Sequence, residues 1–451
     1  MTLLRWGVAL AGVWYVVAHL SIRDQAWVIL DPATNRPQHL SLEQPTAEFA
    51  PVFPVRVNGQ VQNVPRDRII NEPDVKQVAV RATDGTPRKV SLLGVQTNGD
   101  VVQRFLVADT SDSPGRWVDS SDVVDYVPPH PYPHPREQMG LERMARQANP
   151  GLLWAALLVF PVTFVVTSYR WHELLKVLDI DLSFRRAFAL NMVGSFWNTC
   201  IPGSTGGDLI KAVQVSKLTP HRTRAVMSVL IDRAVGLLAL IILGGTVAAS
   251  QWHVRACRDV ALGSAALCLC TVLGMLVFYN PTLHRLSGLD AILRRLPRQK
   301  QVRGAVDTML RYRDRPLLSL WTLIVSFPVH ATVVTSAMLA GMAFGLRMHW
   351  QYYWVCIPVI VLAAAIPISF QGAGVMEYLT VLLTHSQGVS VSQAVALAMS
   401  VRVVQIVWNL SGGLFAAFGR YHSPNPAERA EVDAAGGEAL PGGPAEPAVA
   451  V

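Results

Sequence analysis

Asp208 and Arg233 stand 25 residues apart, and Glu377 and Arg402 repeat that separation. Each acid closes a glycine-rich stretch: Ile201 to Lys211 reads IPGSTGGDLIK, and Ile366 to Tyr378 reads IPISFQGAGVMEY. Each arginine falls inside a long apolar run that reads as helix. A charge at the centre of a bilayer costs at least ~2.5 kcal/mol on the gentlest scale, so such an arginine must face protein, water or an anion. A carboxylate can hold it, and so can a phosphate, which a planar guanidinium grips through two parallel hydrogen bonds. Helices that begin after a glycine loop present backbone N–H groups whose partial positive charge attracts anions, and glycine lets a bulky group come close. The candidate site is therefore Asp208, Arg233, Glu377 and Arg402, with Lys211, with loop glycines Gly206, Gly207, Gly372 and Gly374, and with Asn198 and Gln371 as flanking hydrogen-bonding groups. A plainer reading of the same residues is structural. Asp232 adjoins Arg233, buried ion pairs can lock helices together, and Asn198 and Gln371 can satisfy loop backbone.

The elements that must position these residues are those of a membrane protein. The chain has 451 residues, 51% hydrophobic and only 16% charged, against roughly 25% charged in soluble proteins. Its mean hydropathy is +0.31. Residues 22–149 carry 14 basic and 16 acidic side chains, and the remainder carries 25 and 15, so the excess basicity belongs to the membrane part. There it faces the cytoplasm and anionic headgroups, and nucleic acid is not an expected partner. All five cysteines (Cys200, Cys257, Cys268, Cys270 and Cys356) lie in or beside apolar segments, with no disulfide framework and no zinc spacing.

Residues 6–22 form an apolar run of 17, near the ~17-residue minimum for a spanning helix. No small-x-small cleavage site follows, so residues 1–22 are expected to be a retained signal anchor. From 23 to 149 the character changes. FPVRV precedes Asn58-Gly59, KQVAVRA precedes Asp84-Gly85 and RKVSLLGVQ precedes Asn98-Gly99, which predicts hairpins in a small β-rich domain. VPPHPYPHP, from Val127 to Pro135, is an extended, proline-locked connector, in which His130 and His134 read as exposed side chains better than as metal ligands. Membrane segments are expected at 152–168, 186–201, 223–250, 260–279, 317–345, 351–370 and 391–419, within a transmembrane domain of residues 150–420. Leu286, Leu289, Ile292/Leu293 and Leu296 recur at helical spacing, as in an amphipathic surface helix, and 421–451 reads as a disordered cytoplasmic tail.

Basic residues set the orientation. With the N-terminus inside, inner connections hold 17 of them (Arg170, Lys176, Arg185, Arg186, Lys211, Lys217, Arg222, Arg224 and nine between 280 and 316), against Arg255, Arg258 and Arg347 outside. The β-rich domain is then extracytoplasmic, and Trp350, Tyr352, Tyr353 and Trp354 fall at the outer interface. The first glycine loop must enter and leave from the cytoplasm and the second from outside. The expected fold is mainly α: a polytopic membrane helix bundle with two re-entrant glycine loops in inverted repeats, plus the β-rich domain. Arg233 and Arg402 then lie roughly 16 Å deep from opposite sides of a ~30 Å core.

RWHELLKVLDIDLSFRRAFALNMVGSFWNTCIPGSTGGDLIKA, then VLIDRAVGLLAL, and later IPISFQGAGVMEYLTVLLTHSQGVSVSQAVALAMSVRVV, resemble the flippase-like transmembrane family typified by the membrane half of lysylphosphatidylglycerol synthases. The resemblance covers roughly 152–420 and rests on the PG…GGD, DR and PIS…G-x-G blocks. It implies a multi-pass protein of the bacterial inner (cytoplasmic) membrane that moves phosphate-bearing lipid between leaflets, with Asp208, Arg233, Glu377 and Arg402 in its polar site. Two departures stand out. Lys211 follows the GGD motif where relatives often have Arg, and Met376-Glu377 stands where they often have Arg-Glu, so the headgroup charge read by the site can differ. No aminoacyl-transferring domain follows, and lipid aminoacylation is not expected. Membrane lipids are the expected partners, with an external protein or envelope partner for residues 23–149. Two other classes stay open: a membrane-embedded enzyme using Asp208 and Glu377 as acid and base on lipid phosphate, and a scaffold or receptor working through the external domain. No zinc motif, nucleotide loop or nucleophile with a nearby base is visible, so no catalytic role, cofactor or metal is assigned. Without a nucleotide loop, transport is downhill, ion-coupled or driven by another protein.

Overall fold

Asn58 and Gly59 adopt positive φ (50° and 83°) and join β3 (Val52–Val57) to β4 (Gln60–Pro65), the tight turn that this dipeptide favours. In the computed structural model, the described residues are 14, 21–43, 50–73, 75–82, 85–98, 101–110, 113–126, 137–200, 206–253, 255–286, 299–365, 372–385 and 387–418. The first helix apart from Trp14, Ser21 and Ile22, the proline connector with His130 and His134, Leu289 to Leu296, the tips of both glycine loops including Gln371, and the tail lie outside them.

By density of contacts the chain forms two units. One comprises Met1–Phe160, Leu243–Gly263 and Thr332–Gln405; the other comprises Pro161–Ile242, Ser264–Ala331 and Ile406–Val451.

The first unit contains the β-rich region. β6 (Gln77–Arg81), β7 (Pro87–Asn98), β8 (Val101–Ala108) and β9 (Arg116–Asp119) form an antiparallel meander. β1 (Gln25–Ile29) pairs with β2 (Pro37–Ser41), β5 (Ile69–Ile70) and β10 (Glu137–Gln138). Alternate residues Val78, Val80, Val90, Leu92, Phe105 and Val107 point into one core, and Val28, Phe53, Val55 and Ile69 into a second. The short helix α1 (Leu141–Gln147) follows. Asp24 fastens this junction, its carboxylate accepting the Gly140 N–H (2.8 Å) and an Arg143 N–H (2.9 Å).

Helices account for the rest. α2 (Pro150–Val159) and α3 (Val162–Val177) follow one another across Pro161 and together make one apolar stretch of 28 residues. That stretch runs beyond the expected end at 168, so Arg170 belongs to a helix rather than to a loop. Then come α4 (Phe184–Cys200), α5 (Gly206–Ser216), α6 (Arg222–Ser250), α7 (Arg255–Tyr279), α8 (Pro281–Leu286), α9 (Gln299–Arg313), α10 (Pro316–Ala343), α11 (Trp350–Ala365), α12 (Val375–His385) and α13 (Val391–Phe418). Five stretches among the described residues are long and apolar enough to cross a bilayer. α4, α5, α11 and α12 are not: at 17, 11, 16 and 11 residues and ~1.5 Å per residue they fall short of ~30 Å. They flank the two glycine loops, α4 packing against α5 and α11 against α12.

The separation between Asp208 and Glu377 equals that between Arg233 and Arg402. Applied to the helices, it carries α5 onto α12 end to end and the first residue of α6 onto the first of α13. It also brings α4 onto α11, and the α2–α3 stretch onto α10, each within a few residues. The chain is thus an internal repeat of a long helix, a short-helix pair broken by a glycine loop, and a second long helix. Of the aromatic cluster, Tyr352 and Tyr353 are buried in the apolar core of the first unit, the Tyr352 hydroxyl donating to the Leu383 carbonyl (2.8 Å), while Trp350 is exposed.

Candidate functional site

In the second unit, α5 begins at Gly206, which makes Asp208 its third residue, and the Asp208 carboxylate accepts an N–H of Arg233 from α6. Both side chains are about a third accessible, at 30% and 27%. The α5 N-terminus is capped from within the hairpin: Asn198 on α4 accepts the Gly207 N–H (2.8 Å). Gly207 has no room for a side chain, since a Cβ there would lie 1.8 Å from the Gly194 carbonyl oxygen. Its missing side chain lets α4 and α5 touch, and its N–H is satisfied within the hairpin.

In the first unit the same parts are fitted differently. Glu377 is again the third residue of its short helix, and one of its oxygens accepts from Arg402 Nε (3.1 Å) with Nη2 at 2.8 Å. The other accepts the Gly374 N–H (2.7 Å), so the acid caps its own helix as well as pairing with the arginine. The pair is more enclosed, with side chains 13% and 8% accessible. Gly372 and Gly374 have φ of 71° and 78°, which side chains with a Cβ rarely adopt.

Asp232, the neighbour of Arg233 in sequence, does not pair with it. It accepts from Arg170 Nε of α3 (2.8 Å) and lies 3.6 Å from the Lys211 ammonium of α5. Lys211 also donates to Asn191 of α4 (3.1 Å) and sits 3.8 Å over the Trp171 ring. Arg170 donates further to Ser326 (2.9 Å), and Asn191 to Ser168 (3.1 Å). Arg170, Lys211, Asp232, Asn191, Ser168 and Ser326 are all buried. Arg170 and Lys211 therefore leave the count of inner-loop charges. The clue in the sequence was helical spacing: Lys211 follows Asp208 by three residues and shares its face, while consecutive Asp232 and Arg233 diverge by about 100°. Gln371 lies outside the described residues.

Five apolar stretches among the described residues, two short-helix pairs at glycine loops and an acid–arginine pair beside each define a multi-pass helical membrane protein. A family model described as the lysylphosphatidylglycerol synthase TM region matches residues 140–412, and the chain belongs to this family. It is similar to the UPF0104 membrane protein PH1989 of Pyrococcus horikoshii, at 22% identity over 302 residues, covering 61% of this chain and 90% of that protein.

Proposed function

We propose that the protein is a lipid translocase of the bacterial inner membrane that carries a phosphate-bearing lipid headgroup between leaflets. The observation that carries this reading is the duplicated pair: an acid at the third position of a short helix, held by an arginine 25 residues on, in each half of the repeat. In each pair a carboxylate oxygen sits on guanidinium N–H groups that a phosphate oxygen can take instead. The short helices support re-entrant loops, and repeats of this kind place substrate where broken helices meet. An enzymatic reading needs an acid left open to a substrate, whereas Asp208 and Glu377 are each engaged by an arginine. The β-rich region is free to recruit an envelope partner. The test is Arg233→Lys with Arg402→Lys in lipid vesicles, which keeps both charges and removes the planar fork. Losing one charge-assisted hydrogen bond of about 1.5–3 kcal/mol lowers leaflet exchange of a labelled phospholipid by about tenfold or more, with insertion unchanged. Full exchange by the double variant defeats the phosphate-clamp reading.

A further inference from the structure

We infer that Lys211 carries a proton that binds and leaves with the anionic phosphate group, so that translocation is a proton–anion symport; this rests on the lipid-translocase reading above. Asp208 and Lys211 share one face of α5, while Asp232 and Arg233 are consecutive on α6, so the partly accessible pair and the buried cluster are one charge network. With Lys211 protonated, three cations (Arg170, Lys211, Arg233) face two carboxylates (Asp208, Asp232), leaving one net positive charge to meet one phosphodiester. With Lys211 neutral the set balances, and an arriving anion finds no countercharge.

Lys211 is the member able to make that change. A guanidinium is not deprotonated in proteins, and Asp208 and Asp232 are each paired with an arginine. Lysine is the cation that gives up its proton most readily when desolvated. α3 presents Arg170 and Trp171, α4 presents Asn191, α6 presents Asp232, and α5 itself presents Asp208. Farther out, Tyr312 of α9 faces Asp232 while donating to the Leu174 carbonyl (3.1 Å), and His330 of α10 faces Arg170 with its ring bonded to the Gly236 carbonyl (2.8 Å). Asp208, one turn back on the same face of α5, is 30% accessible, so the network has a polar, partly open end beside the buried Lys211. Linkage fixes the sign: an anion nearby favours charged Lys211, so binding takes up a proton and release returns it. The other repeat has Thr380 at the equivalent position, buried and donating to the Met376 carbonyl (2.7 Å).

The test uses the purified full chain in two arms. In vesicles of phosphatidylethanolamine and phosphatidylglycerol, leaflet exchange of labelled phosphatidylglycerol falls about tenfold per pH unit above the Lys211 transition, and a pH gradient biases its distribution. Lys211→Arg flattens the pH profile and abolishes the bias; Lys211→Met is slow at every pH. In detergent, calorimetric titration with inorganic phosphate in buffers of different ionisation enthalpy shows about one proton taken up per phosphate at alkaline pH, and none for Lys211→Arg. Lipid exchange indifferent to pH and to the gradient overturns the symport and leaves the translocase reading standing. Proton-linked phosphate binding without lipid exchange keeps the Lys211 site and defeats the lipid reading. Phosphate binding without proton uptake, or no phosphate binding beside pH-indifferent exchange, overturns the proposal.

Discussion

The two halves of the repeat share a buried stripe and fill it with opposite chemistry. On α6 the inward positions are Ala225, Ser228, Val229 and Asp232; the equivalent positions on α13 are Ala394, Leu397, Ala398 and Val401. Around that stripe Ser168, Arg170, Asn191 and Lys211 in one half stand where the other has Ala337, Leu339, Ile360 and Thr380. The backbone plan and the acid–arginine pair are duplicated, and the charged cluster beside them is not. The ion pair is thus a property of the repeat, whereas the excess charge is a property of one half, where it stands beside the more accessible pair. A buried charge set costs desolvation that an apolar stripe avoids, and the apolar half shows that the fold does not require it.

The largest effect should come from transplanting that difference. Asp232→Val leaves Arg170 and Lys211 buried without their shared carboxylate and costs about 3–5 kcal/mol, read as a large drop in melting temperature of the detergent-solubilised protein. Adding Arg170→Leu and Lys211→Thr, the residues of the other half, recovers most of that loss while abolishing pH-dependent exchange. If the triple variant stays as unstable as the single one, the cluster is needed by the fold and the comparison fails. A smaller contrast separates the pairs. Arg402→Ala strands an enclosed Glu377 and costs about 3 kcal/mol, whereas Arg233→Ala, beside the more accessible Asp208, costs about 1 kcal/mol. Equal losses by the same melting assay would erase the distinction. The smallest effect concerns how each short helix is capped. Asn198→Ala removes a borrowed cap from α5 and costs about 1 kcal/mol with the Arg233–Asp208 pair intact, so stability falls slightly and exchange persists. Loss of exchange out of proportion to stability would instead make Asn198 a substrate contact.

The sequence by itself determined the long apolar stretches, the hairpin at Asn58-Gly59, and the acid and arginine set at matching places in each half of the repeat. Each is written in local signals: hydrophobic runs, dipeptides that accept positive φ, and charges set in apolar surroundings where few partners exist. Tertiary structure alone decided which carboxylate Arg233 takes. Asp232 is its neighbour in the chain, yet it points to another side of α6, where Arg170 and Lys211 arrive from α3 and α5. Tertiary structure also assigned Gly207 to helix contact and Tyr353 to the core, because both roles depend on the surface brought against them: the Gly194 carbonyl for one, Gly341 for the other. Periodicity says which residues share a face; only packing says what that face meets.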